Sequence, residues 1–237
     1  MTPLQIASFK AHARSPAYNR KLDQMIDLVT SIDPTTSYVS FSAGKDSAVI
    51  AHSCHKIHPD IPILMIDPGC PTHWTEPERE RWVDYADKNG WNLRLFAWDK
   101  WGMSLDTDDI AEYQDRIHKD MFSQINDHAA ANNLTTRIMG LRASESRNRR
   151  MLIGRRGNQY DYKSGGSAVL PVANWQTMDI WAYIAPNVLP WLDIYDVLGP
   201  SARNGLVGRS GEEYGRIEYL KHYFPDVWAW AKRNNIF

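Results

Sequence analysis

Cysteines and long hydrophobic runs are the features that this sequence has least of. Its 237 residues include only two cysteines, Cys54 and Cys70. Two thiols cannot supply the ligand set of a usual iron–sulfur cluster or a Cys₄ zinc site, so we expect neither within one chain. Because the cysteines are few and the sequence shows no signal peptide or membrane-length apolar span, we predict a cytoplasmic protein without membrane association.

An excess of charge of either sign is also lacking. The 27 lysines and arginines nearly balance the 28 aspartates and glutamates, which gives a formal net charge of −1. This balance argues against nucleic-acid binding over a broad basic surface, but it permits a local basic patch. The length predicts one α/β domain with appendages. We expect an N-terminal helical segment at 1–36, the main domain at 37–200 and a C-terminal helical extension at 201–237.

A short β-rich run ends in a loop of small residues, Ser-Ala-Gly-Lys-Asp-Ser over 42–47, and then continues as a helix. A strand-to-helix turn of this kind directs backbone N–H groups and the positive end of the helix dipole to one point, which suits a phosphate group. Ser42 and Ser47 would add hydroxyl donors, and Lys45 a mobile charge. Asp46 suits such a site if Mg²⁺ lies between its carboxylate and the phosphates. The alternative is an ordinary turn with a solvated Lys–Asp pair.

Apolar runs of strand length alternate with helical patterns along the chain. We predict strands near 38–41, 61–67, 91–96 and 135–139, and helices near 4–14, 22–32, 48–58, 76–89, 110–132 and 177–184. This alternation predicts a doubly wound, mostly parallel sheet. Ligands bind beyond the carboxyl ends of the strands in such sheets, so Asp67 should lie beside the 42–47 loop. The stretch 154–167 predicts a pair of mobile loops, and Thr177 is the expected N-cap of its helix.

A few positions indicate where helices end and what fills the core. The helix near 4–14 is expected to stop at Pro16, and the helix near 76–89 at Gly90. Cys54 lies on an apolar helix face, so its expected role is that of a small buried residue. We expect the ten tryptophans to anchor the core and interfaces.

A second strand also ends in glycine and leads into an arginine-rich stretch. This stretch runs from Gly140 to Arg150. On a continuous helix, Arg142, Glu145 and Arg149 would share one face. Guanidinium groups suit bidentate contact with phosphate, and Glu145 could orient one of them. The alternative is a solvated basic helix end.

Four separated segments resemble one family. Residues 42–47 resemble the PP-loop, SGGxDS, of the ATP pyrophosphatase superfamily, with Ala43 in place of one glycine. Three further segments are similar to motifs of the phosphoadenosine phosphosulfate (PAPS) reductase family. They are Asp67-Pro68-Gly69 with Thr75-Glu76, Gly140 to Ser146 with Arg149, and Pro171 with Trp175, Asp179, Trp181 and Ile184. The resemblance covers roughly residues 37–200 and implies an adenine nucleotide α-hydrolase-like fold.

The departures from that family indicate which branch the chain resembles. Sulfonucleotide reductases of the family carry a C-terminal cysteine nucleophile, and no cysteine follows Cys70 here. The Lys-Asp-Ser end of the loop instead resembles the ATP-using branch. That resemblance implies an ATP pyrophosphatase that adenylates an acceptor and releases pyrophosphate, closest in kind to the enzyme of bacterial DNA phosphorothioation. The alternatives are an ATP sulfurylase-like enzyme that adenylates sulfate, and a nucleotide-binding protein without catalysis.

The resemblance also implies roles for particular residues. ATP is expected to contact Phe41, Ser42, Ala43, Gly44, Lys45, Asp46, Ser47, Asp67, Gly140, Leu141 and Arg142. The catalytic residues are expected to be Lys45, Asp46, Arg142 and Arg149, with Asp46 also holding Mg²⁺. Cys70 either fills a tight turn or receives a persulfide. The expected partners are ATP, DNA and a cysteine desulfurase as the sulfur donor, and a homodimer is left open.

Overall fold

The computed structural model describes residues 1–67, 76–97, 122–163, 165–202 and 221–233. Two helices come first, α1 at Pro3–His12 and α2 at Pro16–Thr30. The first helix ends before Pro16, as predicted, but Pro16 also begins α2. The sequence pattern had placed the start of that second helix only near residue 22. Ser15 is the N-cap, and its hydroxyl accepts from the amide of Tyr18. A proline at the first helical position loses no hydrogen bond, since that amide has no partner within the helix.

A six-stranded sheet forms the centre of the fold. Its strands are β1 Ser37–Phe41, β2 Ile63–Asp67, β3 Leu93–Ala97, β4 Thr136–Ile138, β5 Gln159–Asp161 and β6 Ser167–Val169. Their order is β3-β2-β1-β4-β6-β5, and every pair is parallel except β5 with β6. The predicted doubly wound, mostly parallel sheet is therefore confirmed. From β1 the next strands are added toward one edge of the sheet, and from β4 onward they are added toward the other edge. Ligands bind in such folds at this switch point, which lies here between β1 and β4.

Helices connect and flank the strands. They are α3 Lys45–Ile57, α4 Glu76–Lys88, α5 over 122–131, α6 Arg147–Arg156, α7 Thr177–Asn187, α8 Ile194–Val197 and α9 Pro225–Arg233. Gly90 has a positive φ of 67° just beyond α4, as predicted for a helix terminator. The N-cap of α7 is Gln176 and not Thr177, because the Asp179 carboxylate accepts from the Gln176 amide at 2.7 Å. Of the predicted helix at 110–132, the part before residue 122 lies outside the described residues.

The pair of loops predicted at 154–167 is not what the residues described there form. The stretch instead contains the end of α6 and an antiparallel hairpin, in which Gln159 pairs with Val169. Gly157 ends the helix with a φ of 77°, and Gly165 and Gly166 have φ of 91° and 80° in the turn. Glycine adopts such backbone angles without a steric cost. The glycines that suggested loops therefore end a helix, at Gly157, and form part of the turn of a hairpin, at Gly165 and Gly166.

The core is rich in aromatic side chains, as the tryptophan count predicts. Trp82, Trp175 and Trp181 are at most 2% exposed, and Cys54 is fully buried as expected. Helices α1 and α2 are tied to α7 through the buried Asp179, whose carboxylate accepts from His12 Nε2 at 2.8 Å and Lys21 Nζ at 2.5 Å. In the part of the chain that the structure describes, no helix combines the length and the apolar character needed to cross a bilayer.

Candidate active site

The N-terminus of α3 lies beside the point where the order of the strands reverses, between β1 and β4. Residues 42–44 join β1 to α3, and Gly44 is the N-cap. Since glycine has no side chain, Gly44 itself supplies no side-chain hydrogen bond to this helix end. The first amides of an α-helix have no partner within the helix, and the helix dipole is positive there. The junction therefore has the form of an anion-binding site.

The two loop serines have different roles. The Ser47 hydroxyl donates to the Gly44 carbonyl at 2.9 Å and accepts from the Ser42 amide at 3.2 Å. Ser47 is only 7% exposed, whereas Ser42 is exposed, and their hydroxyls lie 3.1 Å apart. Ser47 thus fixes the shape of the loop from inside. The sequence suggests that both hydroxyls face a phosphate, but in this arrangement Ser42 is the one presented outward.

Ala43 occupies a backbone conformation that normally belongs to glycine. Its φ is +55°, and its side chain is 1% exposed in the main core. An L-residue in the left-handed region is strained by about 1–2 kcal/mol. The family pattern has glycine at this position, and the chain keeps the backbone shape of that glycine although its residue is alanine. The buried methyl group partly offsets the strain.

Lys45 and Asp46 begin α3 and form the charged floor of the site. Lys45 Nζ lies 3.4 Å from Asp46 Oδ2 and 3.3 Å from the Ala202 carbonyl oxygen, and it is 5.0 Å from the ring centroid of Tyr195. Only 5% of Lys45 is exposed. Burial, and then repulsion from Arg142, lower the pKa of Lys45, while Asp46 acts in the opposite direction.

Arg142 completes a cation–carboxylate–cation cluster around Asp46. Its Nε donates to Asp46 Oδ1 at 2.6 Å and its Nη1 donates to Ser144 Oγ at 2.9 Å. Arg142 is 3% exposed, so this is a buried pair. Asp46 therefore has a cation on each carboxylate oxygen. A buried pair of this kind orients both groups, because removing either partner leaves an uncompensated charge.

The predicted shared helix face of Arg142, Glu145 and Arg149 is wrong. A 3₁₀ turn at Ala143–Glu145 is followed by the extended residue Ser146, and α6 starts only at Arg147. Ser146 breaks the helix because its hydroxyl caps α6, accepting from the Arg149 amide at 3.1 Å. Glu145 nevertheless contacts both arginines, although the three residues do not share one helix. Glu145 accepts from the Arg142 amide at 2.9 Å and forms an ion pair with Arg149.

Gly140 brings the end of β4 against the first turn of α3. A Cβ atom there would lie 2.6 Å from the carbonyl carbon of Asp46 and 2.8 Å from the Ser47 nitrogen, closer than real Cβ contacts. Both of these atoms belong to the backbone and cannot rotate away. Glycine is thus required by close approach of two backbones. The contact places Arg142, two residues further on, within reach of Asp46.

The remaining predicted contacts differ in what they can offer a ligand. The Phe41 side chain packs in the core, with Trp82 at 5.1 Å and Trp91 at 5.9 Å between ring centroids, so only its backbone can meet a ligand. Leu141 packs with the small cluster around Ile153. Asp67 ends β2, the neighbour of β1, and accepts from Arg79 Nε at 2.5 Å. The predicted residues at 68–75, Cys70 among them, lie outside the described residues.

Tyr195 is a site residue that the sequence did not indicate. Its hydroxyl accepts from the Lys45 amide at 3.3 Å, and it is 1% exposed. Burial, and next the charge of Asp46, raise the pKa of Tyr195, so its hydroxyl stays protonated. It lies 150 positions from the loop. A tyrosine among apolar residues is ordinarily a core residue, so no local pattern distinguishes it.

A magnesium ion would find one protein ligand here. Among the residues described, no group of three His, Cys, Asp or Glu side chains is arranged to hold a metal. Mg²⁺ in nucleotide sites is commonly held by one or two carboxylates together with substrate phosphates and water. If Mg²⁺ binds here, Asp46 Oδ2 is the oxygen that could hold it by displacing Lys45, because its 3.4 Å contact is longer than the 2.6 Å contact of Oδ1 with Arg142.

The sequence and the fold have known relatives. The PAPS reductase of Xanthomonas campestris is 25% identical over 194 residues, which cover 74% of this chain and 73% of the relative. A solved PAPS reductase from Candida auris, in a phosphate complex, aligns with a TM-score of 0.51 at 14% identity, covering 74% of this chain and 90% of that one. The NH3-dependent NAD synthetase from Campylobacter jejuni, in complex with nitrate, aligns with a TM-score of 0.51 at 15% identity, covering 92% and 93%. These two structures share the fold of this chain.

The family assignment rests on a longer match. The sequence model of the phosphoadenosine phosphosulfate reductase domain matches residues 36–198, more than half of the chain. The matched region contains the loop after β1, the Gly140–Arg149 segment and α7. The chain therefore belongs to the phosphoadenosine phosphosulfate reductase family.

Proposed function

We propose that the protein is an ATP pyrophosphatase that transfers the adenylyl group of ATP to an acceptor and releases pyrophosphate. The observation that carries this proposal is the Lys45–Asp46–Arg142 cluster, whose two cations are buried, at the N-terminus of α3. A polyphosphate chain needs an amide cradle and more than one cation, and this site combines both. Relatives in the family are named as PAPS reductases, so a sulfonucleotide is the second candidate ligand.

Cys54, which the structure describes, argues against a reduction in which a cysteine thiol attacks the sulfonucleotide. Cys54 is fully buried, and its burial raises the pKa of the thiol. Thiol attack requires an accessible thiolate, so Cys54 is not a nucleophile. Cys70 lies outside the described residues, and we propose it as a candidate sulfur relay and not as a reductant. The sulfur donor in this proposal is a cysteine desulfurase.

The proposed reaction is an in-line displacement at the α-phosphorus. An acceptor oxygen forms a bond to the α-phosphorus, and the bond from that phosphorus to the oxygen bridging to the β-phosphorus breaks, so pyrophosphate leaves. Positioning and charge neutralisation supply most of the rate in such transfers. The contacts of Lys45 Nζ at 3.3 and 3.4 Å are longer than the usual charged hydrogen bond of about 2.8 Å. Lys45 can therefore exchange them for the leaving phosphates.

The chain supplies the remaining parts of the proposed mechanism. Arg142 holds Asp46 in place and adds positive charge at the floor, while Arg149 extends that charge toward the surface. Mg²⁺, held by Asp46 and the phosphates, would neutralise charge on the phosphate oxygens. The Lys45 amide donates to the Tyr195 hydroxyl at 3.3 Å, and the amides that follow it in the first turn of α3 would receive phosphate oxygens.

Lys45→Ala tests this proposal. We expect pyrophosphate release to fall by about two to three orders of magnitude, because one cationic contact to developing charge is lost. Lys88→Ala on α4 is the matched control, since Lys88 is exposed and lies 3.9 Å from Asp84. Near-wild-type release by Lys45→Ala would contradict the proposed role of Lys45. Circular dichroism would establish that both variants are folded.

The acceptor in this proposal is the DNA backbone. Helix α6 contains five arginines and no acidic residue, and it begins a few residues after Arg142. Within the described residues, Arg149 is the arginine of this helix that pairs with a carboxylate, and Arg155 and Arg156 are exposed. A near-neutral chain can bind DNA only through such a local patch. This basic helix beside the nucleotide site favours a polyanionic acceptor over free sulfate.

Arg155→Ala combined with Arg156→Ala tests the acceptor. We expect DNA-dependent pyrophosphate release to fall and to lose part of its salt dependence, while ATP affinity is unchanged, because two phosphate contacts are removed. The Lys88→Ala variant again serves as the control. Release that is insensitive to salt, and equal with and without DNA, would contradict DNA as the acceptor. Stimulation by sulfate alone would instead support an ATP sulfurylase-like reaction.

A further inference from the structure

A cavity of about 660 Å³ lies among α1, α2, α3 and α7, away from the nucleotide site. The lining residues of α3 are Ser53, Lys56 and Ile57, near its C-terminal end. The candidate nucleotide site is at the N-terminal end of the same helix, so Lys56 is about 16 Å from Lys45 along the helix axis at 1.5 Å per residue. The volume is in the range of about 300–1,000 Å³ typical of small-molecule sites. The cavity is thus separate from the site described above.

Positive charge surrounds the cavity. Lys10, Arg14 and Lys56 are among the lining residues, which include no aspartate or glutamate. All three cations are exposed, and none forms an ion pair with a residue that the structure describes. Lys10 in α1 and Arg14 just before α2 are close in sequence, and the fold brings Lys56 of α3 to the same cavity. An anion at this rim would meet three cations, and Asp179, the carboxylate that acts on the neighbouring Tyr18, is itself paired with His12 and Lys21.

The interior combines apolar walls with one unused hydrogen-bond donor. The walls are formed by Leu22, Met25, Ile57 and others. Tyr18 lines the cavity and is only 3% exposed, yet its hydroxyl makes no hydrogen bond with the described residues. Burial, and then the charge of Asp179, raise the pKa of Tyr18, so this hydroxyl remains a donor. The Tyr18 hydroxyl oxygen is not among the fully buried, unpartnered polar atoms of the described residues, so it is accessible and can donate to a ligand in the cavity.

We propose that this cavity binds a small organic anion with an apolar body, such as an aliphatic carboxylate. The acidic head of the ligand lies among Lys10, Arg14 and Lys56 and accepts a hydrogen bond from Tyr18. The aliphatic part of the ligand packs on the apolar walls. Ile26, which is 39% exposed at the cavity lining, leaves an opening to the surface. The site is independent of the proposed ATP chemistry.

Isothermal titration of the full chain with octanoate tests the proposal, with 1-octanol as the uncharged probe of equal length. We expect saturable octanoate binding and at least about tenfold weaker binding of octanol. Arg14→Gln combined with Lys56→Gln should weaken octanoate binding by about tenfold. Tyr18→Phe should weaken it by about three- to tenfold, as expected for one hydrogen bond. Arg20→Gln is the matched control, because Arg20 is exposed on α2 but does not line the cavity.

Several outcomes would overturn the proposal. They are the absence of saturable octanoate binding, equal binding of octanol, and full binding by the Arg14→Gln/Lys56→Gln variant. The titration is then repeated with excess ATP present. We expect no change, and competition by ATP would assign octanoate to the nucleotide site and refute the separate cavity. Because none of these titrations measures pyrophosphate release, their outcome does not depend on the proposed function.

Discussion

Gly140→Ala probes the packing on which the site geometry depends. The new methyl carbon would lie 2.6 Å from the Asp46 carbonyl carbon and 2.7 Å from its oxygen. Ordinary contact begins at 3.4 Å, so the end of β4 and the first turn of α3 must move apart by several tenths of an ångström. Overpacking of this kind typically costs about 1–3 kcal/mol. The reduced entropy of the unfolded chain returns about 0.4–1 kcal/mol, which leaves a net loss of about 1–2 kcal/mol.

Gly154→Ala is the matched control for this substitution. Gly154 lies inside α6, and an added Cβ atom would meet nothing within 4 Å. Alanine in an open helical position stabilises by about 0.5–1 kcal/mol relative to glycine. The two variants should therefore differ by about 2–3 kcal/mol, with opposite signs relative to the wild type. Urea unfolding would show this as shifts of the midpoint at a constant m value.

The same two variants distinguish an effect on activity at the site from an effect on the stability of the fold. A displacement of the α3 N-terminus by less than 1 Å should lower pyrophosphate release in Gly140→Ala by up to about a hundredfold. Gly154→Ala should leave release unchanged. If Gly140→Ala proves as stable and as active as Gly154→Ala, the close contact between β4 and α3 is not a feature of the protein.

Four further substitutions test other features of the structure. Ala43→Gly should change the free energy of unfolding by less than about 1 kcal/mol, because relief of left-handed strain offsets the lost methyl group and the added chain entropy. Ala43→Val, measured by the same urea titration, should be clearly destabilising, since a β-branched residue fits this φ poorly. Asp179→Asn should lower stability by about 1–3 kcal/mol, because His12 and Lys21 lose their charged acceptor, and equal stability would contradict the described network. Burial, followed by repulsion from Lys56 and His55, lowers the pKa of His52 from 6.5 to about 4. Between those two pH values the unfolded state binds the proton and the folded state does not, so stability should fall as the pH falls through this window. His52→Gln should flatten that dependence in unfolding experiments between pH 4 and pH 6.5, and an unchanged slope would refute the assignment.

The parallel core of the fold was predictable because local patterns determine it. Apolar runs such as 61–67 and a glycine-containing loop after β1 are signals contained within a few neighbouring residues. The doubly wound sheet follows from their alternation. The errors occurred where a residue has two structural uses. Pro16 begins a helix where it was expected to end one, and the glycines near 154–167 lie at the end of a helix and in a hairpin where loops were expected.

The candidate site was predictable only in part. The loop after β1 carries its own signal, since small residues followed by Lys45 and Asp46 suit phosphate. Long-range contacts carry no such signal. The packing of Tyr195 against Lys45 joins positions far apart in sequence, and the Asp46–Arg142 pair depends on the approach permitted by Gly140. Tertiary structure alone brings these residues together.

Mass analysis of the products from ATP, Mg²⁺ and short duplex DNA tests the central claim most directly. The wild-type chain should convert ATP to pyrophosphate and transfer an adenylyl group to DNA, and Lys45→Ala should form neither product at a comparable rate. Sulfate replaces DNA in a parallel reaction, which separates the two acceptors. Formation of ADP and phosphate, or recovery of ATP unchanged in every reaction, would contradict cleavage between the α and β phosphates.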